Sequence, residues 1–144
     1  MRVDQVGHHV PMDEITFLRP DGLLHSPAFS WVAVVPPGAT TIHVGGINAT
    51  DVDGNLVGDD IGAQTAQVMA NLGIALEAAG ASMHDLVSLQ LFVVDGIDLS
   101  AGYQAAAAVL PQDREPPLIT VAIVPKLGVP GALLELSAIA AVVR

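Results

Sequence analysis

The chain has 144 residues, five basic against fifteen acidic side chains, a formal net charge of −10 and no cysteine. A chain of this length suits one domain that can close its own core, and the missing cysteines exclude disulfides, thiolate metal sites and a cysteine nucleophile. The charge opposes nucleic acid, because phosphate recognition rests on Lys and Arg and only Arg2, Arg19, Arg114, Lys126 and Arg144 are basic, with five aromatic residues for stacking.

Residues 1–13 show no periodicity, contain Gly7, His8, His9 and Pro11, and are expected to form a flexible or loosely docked arm on a single domain over 14–144. Asp4, Asp13 and Glu14 stand where a secretory signal needs an apolar core, so a cytoplasmic location is expected. Glu14 to Leu18 alternates and reads as a short strand ended by the turn Arg19-Pro20-Asp21-Gly22. Trp31 to Val35 and Thr41 to Gly45 are β-branched runs around Pro36-Pro37-Gly38, which predicts a hairpin.

Asp59 and Asp60 precede Thr65, Val68, Met69, Leu72 and Leu76, apolar or small at three- and four-residue spacing, with Gly80 as the stop. That pattern predicts a helix of about five turns. Leu86 to Val94 is an apolar strand, followed by Asp98 or Ser100 as a cap and an Ala-rich helix through Leu110 that Pro111 closes. Ile119 to Val124 and Leu133 to Val143 read as two further strands joined by the Pro/Gly loop from Pro125 to Gly131. The order β-β-β-α-β-α-β-β predicts an α+β sandwich in which both helices cover one face of a mixed sheet and the other face is free for a partner. With 51% hydrophobic and 14% charged residues, the surface is apolar enough that oligomerisation is the natural outlet.

Glu135 is the one charge in the apolar run from Ala132 to Val143, and it keeps that run short of a membrane span. A carboxylate in a core strand needs pairing or a chemical use. Strand residues alternate faces, so a Glu that merely meets solvent or a subunit contact is the competing reading.

Several segments, in this order and spacing, carry a resemblance. They are Ser26-Pro27-Ala28-Phe29-Ser30, His43-Val44-Gly45-Gly46-Ile47, Gly54-Asn55-Leu56-Val57-Gly58, and Asn71-Leu72 with Leu76-Glu77-Ala78-Ala79-Gly80-Ala81. Leu91-Phe92-Val93-Val94-Asp95 and Gly131-Ala132-Leu133-Leu134-Glu135-Leu136 with Ala138-Ile139-Ala140 complete them. From about Arg19 to Val143 the chain resembles the RidA/YjgF family of reactive-intermediate deaminases. The resemblance implies a chorismate-mutase-like fold with a mixed six-stranded sheet and two helices on one face. It also implies a homotrimer with small-molecule pockets between subunits and hydrolysis of enamines and imines without metal or cofactor.

Within that resemblance Glu135 matches the pocket acid that handles the attacking water, Gly45 and Gly46 match positions whose backbone lines the pocket, and Thr120 stands where members carry Cys, Ser or Thr. The family's carboxylate-clamping Arg falls on Leu118, after Pro116-Pro117, and a leucine cannot replace the bidentate guanidinium. The family's Tyr at the pocket mouth falls on Phe29, and its Asn on the second helix falls near Ser100. These departures imply lost or altered deaminase activity on a neutral or cationic ligand, with Glu135 acting as acid or base on added water.

Arg114, four residues before Leu118, is the candidate replacement cation, against the reading of a solvated loop Arg. Ser30 and Trp31 follow the pocket-mouth position, and Trp31 reads equally as pocket wall or interface packing. His8, His9, His25, His43 and His84 show no metal-ligand spacing, so no metal site is expected, and the hydroxyls of Ser30, Ser100 and Thr120 lack a recognisable base and orienting acid. Two alternatives to the altered hydrolase stay open. One is a non-catalytic trimer that binds a metabolite or protein, and the weaker is an RNase activity, which the charge opposes.

Overall fold

The computed structural model describes residues 2–3, 9–11 and 13–144, so the arm expected over 1–13 lies largely outside the described residues. Among the described residues the fold comprises eight strands, two α-helices and one 3₁₀ turn at Met83–Asp85. The strands are β1 (Arg2–Val3), β2 (His9–Val10), β3 (Thr16–Leu18), β4 (Val32–Val34), β5 (Thr40–Ile47), β6 (Leu86–Val94), β7 (Leu118–Val124) and β8 (Leu134–Val142), and the helices are α1 (Ile61–Ala78) and α2 (Ser100–Ala107).

The six strands expected between residues 14 and 143 are β3 to β8. They divide into a four-stranded mixed sheet, in the order β5-β8-β6-β7, and a separate antiparallel ribbon of β3 and β4. The hairpin expected between Trp31–Val35 and Thr41–Gly45 does not form. β4 pairs with β3, Thr16 opposite Val34, whereas β5 pairs with β8, Thr40 opposite Val142. Pro36, Pro37 and Gly38 therefore carry the chain between two sheets, with Gly38 at φ 85° supplying the left-handed residue.

α1 is 18 residues long, its N-terminus capped by the Asp60 carboxylate accepting from the Ala63 N–H at 2.8 Å. Gly80 at φ 76° ends it, the left-handed stop that glycine adopts without strain. Val68, Met69, Leu72 and Leu76, all at most 1% exposed, pack against Leu89, Val93, Leu134, Leu136, Ala138 and Ala140 of the sheet. Both helices thus lie on the face that carries the odd-numbered β6 residues and the even-numbered β8 residues. α2 lies in the crossover between the parallel pair β6 and β7. It leans on α1, where Gly102 lets the helices meet: a Cβ there would stand 3.0 Å from Ile61 Cγ1 and 3.0 Å from Thr65 Oγ1.

Buried amides tie the loops to this frame. The Gln64 side chain, 2% exposed, donates to the carbonyls of Gly58 and Gly131, both at 3.2 Å, and accepts from the Leu133 N–H at 2.8 Å. Asn71 donates to the carbonyls of Asn48 and Thr50, and Asn48 donates to that of Leu134. These bonds set where β8 begins and where β5 ends, the two strands that carry Glu135 and the Gly45-Gly46 pair. No helix among the described residues is long and apolar enough to cross a membrane.

Candidate active site

Alternation along β8 puts Glu135, Ser137 and Ile139 on the sheet face opposite the helices, together with Leu118 and Thr120 of β7 and Gln90 and Phe92 of β6. On β5 the register slips between Val44, opposite Ala138, and Ile47, opposite Leu136. Gly45 and Gly46 together face Ser137 alone, which is a β-bulge, and a bulge leaves ladder groups of the wider strand unpaired and bends it.

The consequence for Glu135 is direct. A Cβ on Gly46 would sit 2.9 Å from the Glu135 Cδ, 3.0 Å from Oε2 and 3.2 Å from Oε1. The carboxylate therefore lies flat over the glycine backbone, in space that any side chain at 46 would take. Glu135 is half-buried, beside Phe92, which is opposite it in the ladder. Among the described residues the Arg19–Glu115 ion pair, at 2.9 Å, and the His84–Asp113 hydrogen bond, at 2.9 Å, leave Glu135 out.

Leu118, Phe29, Ser30 and Trp31 gather at the other end of the sheet. The Ser30 hydroxyl, on a residue 3% exposed, donates to the Pro116 carbonyl at 2.7 Å, and the Ser30 N–H donates to the Pro117 carbonyl at 3.2 Å. This docks the segment before β4 against the entry to β7. Phe29 and Trp31 meet edge to face with centroids 5.4 Å apart, and the Trp31 indole N–H donates to the Leu24 carbonyl at 2.7 Å, in a residue that stays 40% exposed. The Ser30 hydroxyl is thus occupied by a structural bond.

The two groups do not meet within one chain. Leu118 lies opposite Ser88 and Glu135 opposite Phe92, on strands either side of β6. Four residues along the strand give about 13 Å and two strand spacings about 10 Å, so roughly 16 Å separates them. Thr120, opposite Gln90, stands between, with its side chain exposed. Ser100 opens α2 on the helix side of the sheet, its N–H bonded to the Asp98 carboxylate at 2.9 Å.

Arg114 is spent elsewhere. Its Nη1 donates to the His84 carbonyl, its Nη2 to the Leu86 carbonyl at 2.7 Å and its Nε to the Glu115 carbonyl at 3.0 Å, with the guanidinium stacked 4.6 Å over the Phe17 ring. Burial lowers its pKa, against the pull of Asp85 and Asp113. Sequence reasoning could weigh only its distance from Leu118; two of the carbonyls that hold it belong to His84, in the turn before β6, and to Leu86, the first residue of β6. Among the described residues no group of three or more His, Asp or Glu is placed to hold a metal ion.

Comparison with known proteins gives a consistent set. A family model described as Endoribonuclease L-PSP matches residues 24–142. Among solved structures, a protein of unknown function of the conserved Rid family from Yersinia pestis, YyfB, is similar at 30% identity over 89% of this chain and 98% of its own, with a TM-score of 0.78. RidA from the Antarctic bacterium Psychrobacter is similar at 25% identity over 72% of this chain and 85% of its own, TM-score 0.64. Rv2704 of Mycobacterium tuberculosis, from the YjgF/YER057c/UK114 family, is similar at 26% identity over 90% of this chain and all of its own, TM-score 0.58. No curated protein matches the sequence.

Proposed function

The chain belongs to the Endoribonuclease L-PSP family, the RidA/YjgF proteins, and from that premise we propose that it is a homotrimeric hydrolase of small uncharged C=N compounds. The observation that carries the reading is the Glu135 carboxylate seated over Gly46 on an open sheet face; it is supported by Arg114 being committed to backbone carbonyls and by Leu118 standing where the family resemblance aligns the clamping Arg. Such a site offers a base and unpaired backbone groups but no cation for a substrate carboxylate, which Glu135 itself would repel.

Assembly completes the pocket in this reading. Leu118, Phe29, Trp31 and Thr120 of one copy form an apolar wall with one hydroxyl, and Glu135 with Gly45 and Gly46 of the next forms the reactive half. The distance between the two halves on one chain and the exposure of Ile139, 37% on the open face, support it. In the reaction, water attacks the imine carbon while Glu135 takes one of its protons and passes it to the nitrogen, giving an aminoalcohol. Glu135 then carries the hydroxyl proton to the nitrogen as the C–N bond breaks, so that ammonia leaves and a carbonyl product remains.

RNA is a poor substrate for this surface. Arg19 is paired with Glu115 and Arg114 is engaged, and the chain has only five basic residues against fifteen acidic ones, for a net charge of −10.

The test is ammonia release from uncharged imines generated in situ by an amine oxidase, comparing the native protein with Glu135→Gln. A general acid or base contributes about 10²- to 10⁴-fold, so the variant should lose at least ~100-fold while assembling normally. Equal rates in the two proteins, both no faster than buffer, would favour the non-catalytic binding trimer.

A further inference from the structure

The two sides of β8 are held differently around Glu135. On the β6 side the ladder runs through, with Glu135 opposite Phe92 and the Val94 N–H donating to the Leu133 carbonyl at 3.0 Å. On the β5 side the last ladder pair is Ile47 with Leu136, just past the Gly45-Gly46 bulge. From there the chain turns, the Thr50 N–H donating back to the Asn48 carbonyl at 2.9 Å. The Leu134 carbonyl lies beyond that last pair, and it accepts from the Asn48 side-chain amide at 3.1 Å. Because a peptide unit is planar and includes the Cα that follows, this bond fixes the plane from which the Glu135 side chain leaves.

Asn48 is in turn held from α1. Asn71 Nδ2 donates to the carbonyls of Asn48, at 3.1 Å, and Thr50, at 2.9 Å, and Asn71 Oδ1 accepts from Gln67 Nε2 at 2.9 Å. Three amides thus connect a helix packed on the core to the peptide just before the acid. Asn48 also stands two residues after Gly46, over whose backbone the Glu135 carboxylate lies. One short segment therefore supplies both the seat of the carboxylate and the tie to the backbone that bears it. Paired glycines in a bulge give that segment little stiffness of its own, so the tie has to come from a side chain.

We propose that Asn48, backed by Asn71, is the positioning residue for Glu135. It holds the carboxylate over Gly46 in the geometry that activates water, an inference that rests on the hydrolase reading for its catalytic consequence but not for the placement itself. Asn48 acts through the Leu134–Glu135 peptide. Without its donor that peptide is free to rotate on the β5 side, and the carboxylate slides along the glycines while the core stays packed.

The test reads placement and rate separately in the full-length native protein, Asn48→Ala, Asn48→Asp, Asn71→Ala and Arg114→Ala, at a temperature where each is folded. Arg114→Ala is the destabilised control, since its bonds go to the His84 and Leu86 carbonyls instead. Placement is read without substrate, as the nuclear Overhauser effect between the Glu135 γ-protons and the Gly46 α-protons. Rate is read as ammonia release from an uncharged imine. The Overhauser contact should be present in the native protein and Arg114→Ala, weaker in Asn71→Ala, and lost in Asn48→Ala and in Asn48→Asp, which keeps the size but cannot donate. In both Asn48 variants kcat should fall about 10- to 100-fold with KM little changed, the mark of a loss felt in the transition state, whereas Arg114→Ala keeps the native kcat. A native protein no faster than Glu135→Gln would sink the hydrolase reading alone, and the Overhauser contact would then decide the placement by itself. A contact of native strength in either folded Asn48 variant, its equal loss in Arg114→Ala, or an unchanged kcat in both Asn48 variants of an active protein would overturn the proposal.

Discussion

Gly46→Ala isolates the placement of Glu135 from the stability of the fold. The new Cβ would stand 2.9 Å from Glu135 Cδ and 3.0 Å from Oε2, and no backbone atom is among its near contacts. Ordinary carbon contacts lie near 3.5–4.0 Å, so the carboxylate must retreat by about 0.5–1 Å. The far end of a glutamate can do that by rotating, and Gly46 is not among the positive-φ glycines, so alanine fits the backbone. The stability change should stay within about 1 kcal/mol. A 1 Å error in placing a reacting group costs on the order of 10²-fold in rate. Ammonia release from an uncharged imine and thermal unfolding, measured side by side, should therefore give a rate down by roughly 100-fold with Tm nearly unchanged. Full activity in Gly46→Ala would refute the claim that the glycine exists to seat the acid, and a collapse in Tm would show that it serves the sheet.

Other side chains give separable outcomes. Arg114→Ala frees the carbonyls of His84 and Leu86 and uncovers Phe17, and should cost about 2 kcal/mol in urea unfolding without changing which imines are hydrolysed; a changed substrate preference would return Arg114 to the pocket. Gln64→Ala leaves two carbonyls and the Leu133 N–H without partners and should cost about 3 kcal/mol, read as a fall in the urea midpoint. The Asp98 pKa lies below the usual 3.8, chiefly because the carboxylate accepts from the Ser100 N–H. A depressed carboxylate stabilises the fold above its unfolded pKa and loses that effect as pH falls through the folded value. Asp98→Ala should therefore lower Tm at pH 6 and converge with the native protein well below pH 3.8; a constant difference across that range would contradict the assignment.

The elements with local signals were legible. Asp60 and Gly80 bracket α1 because capping and the left-handed stop are decided by neighbours in sequence, and the acid in an apolar run singled out Glu135. Strand partners were less so. Pro36-Pro37-Gly38 looks like a hairpin turn, yet β5 finds β8 almost a hundred residues on, because the apolar face of Ile42 and Val44 belongs with Ala138 and Ala140 in the core. The fate of Arg114 depends on carbonyls 28 and 30 residues away, which no local pattern encodes. The alanines of α2 signalled a helix correctly. The separation of Leu118 from Glu135 likewise follows from the parallel register of β6 and β7, not from their spacing along the chain.

The most direct measurement is a substrate comparison between the native protein and Leu118→Arg, following ammonia release from imino acids formed by an amino-acid oxidase and from uncharged imines formed by an amine oxidase. The expected result is that the native protein hydrolyses the uncharged imines and leaves the imino acids alone, and that Leu118→Arg gains imino-acid hydrolysis by supplying the guanidinium the pocket lacks. Efficient imino-acid hydrolysis by the native protein, undiminished relative to uncharged imines, would contradict the account.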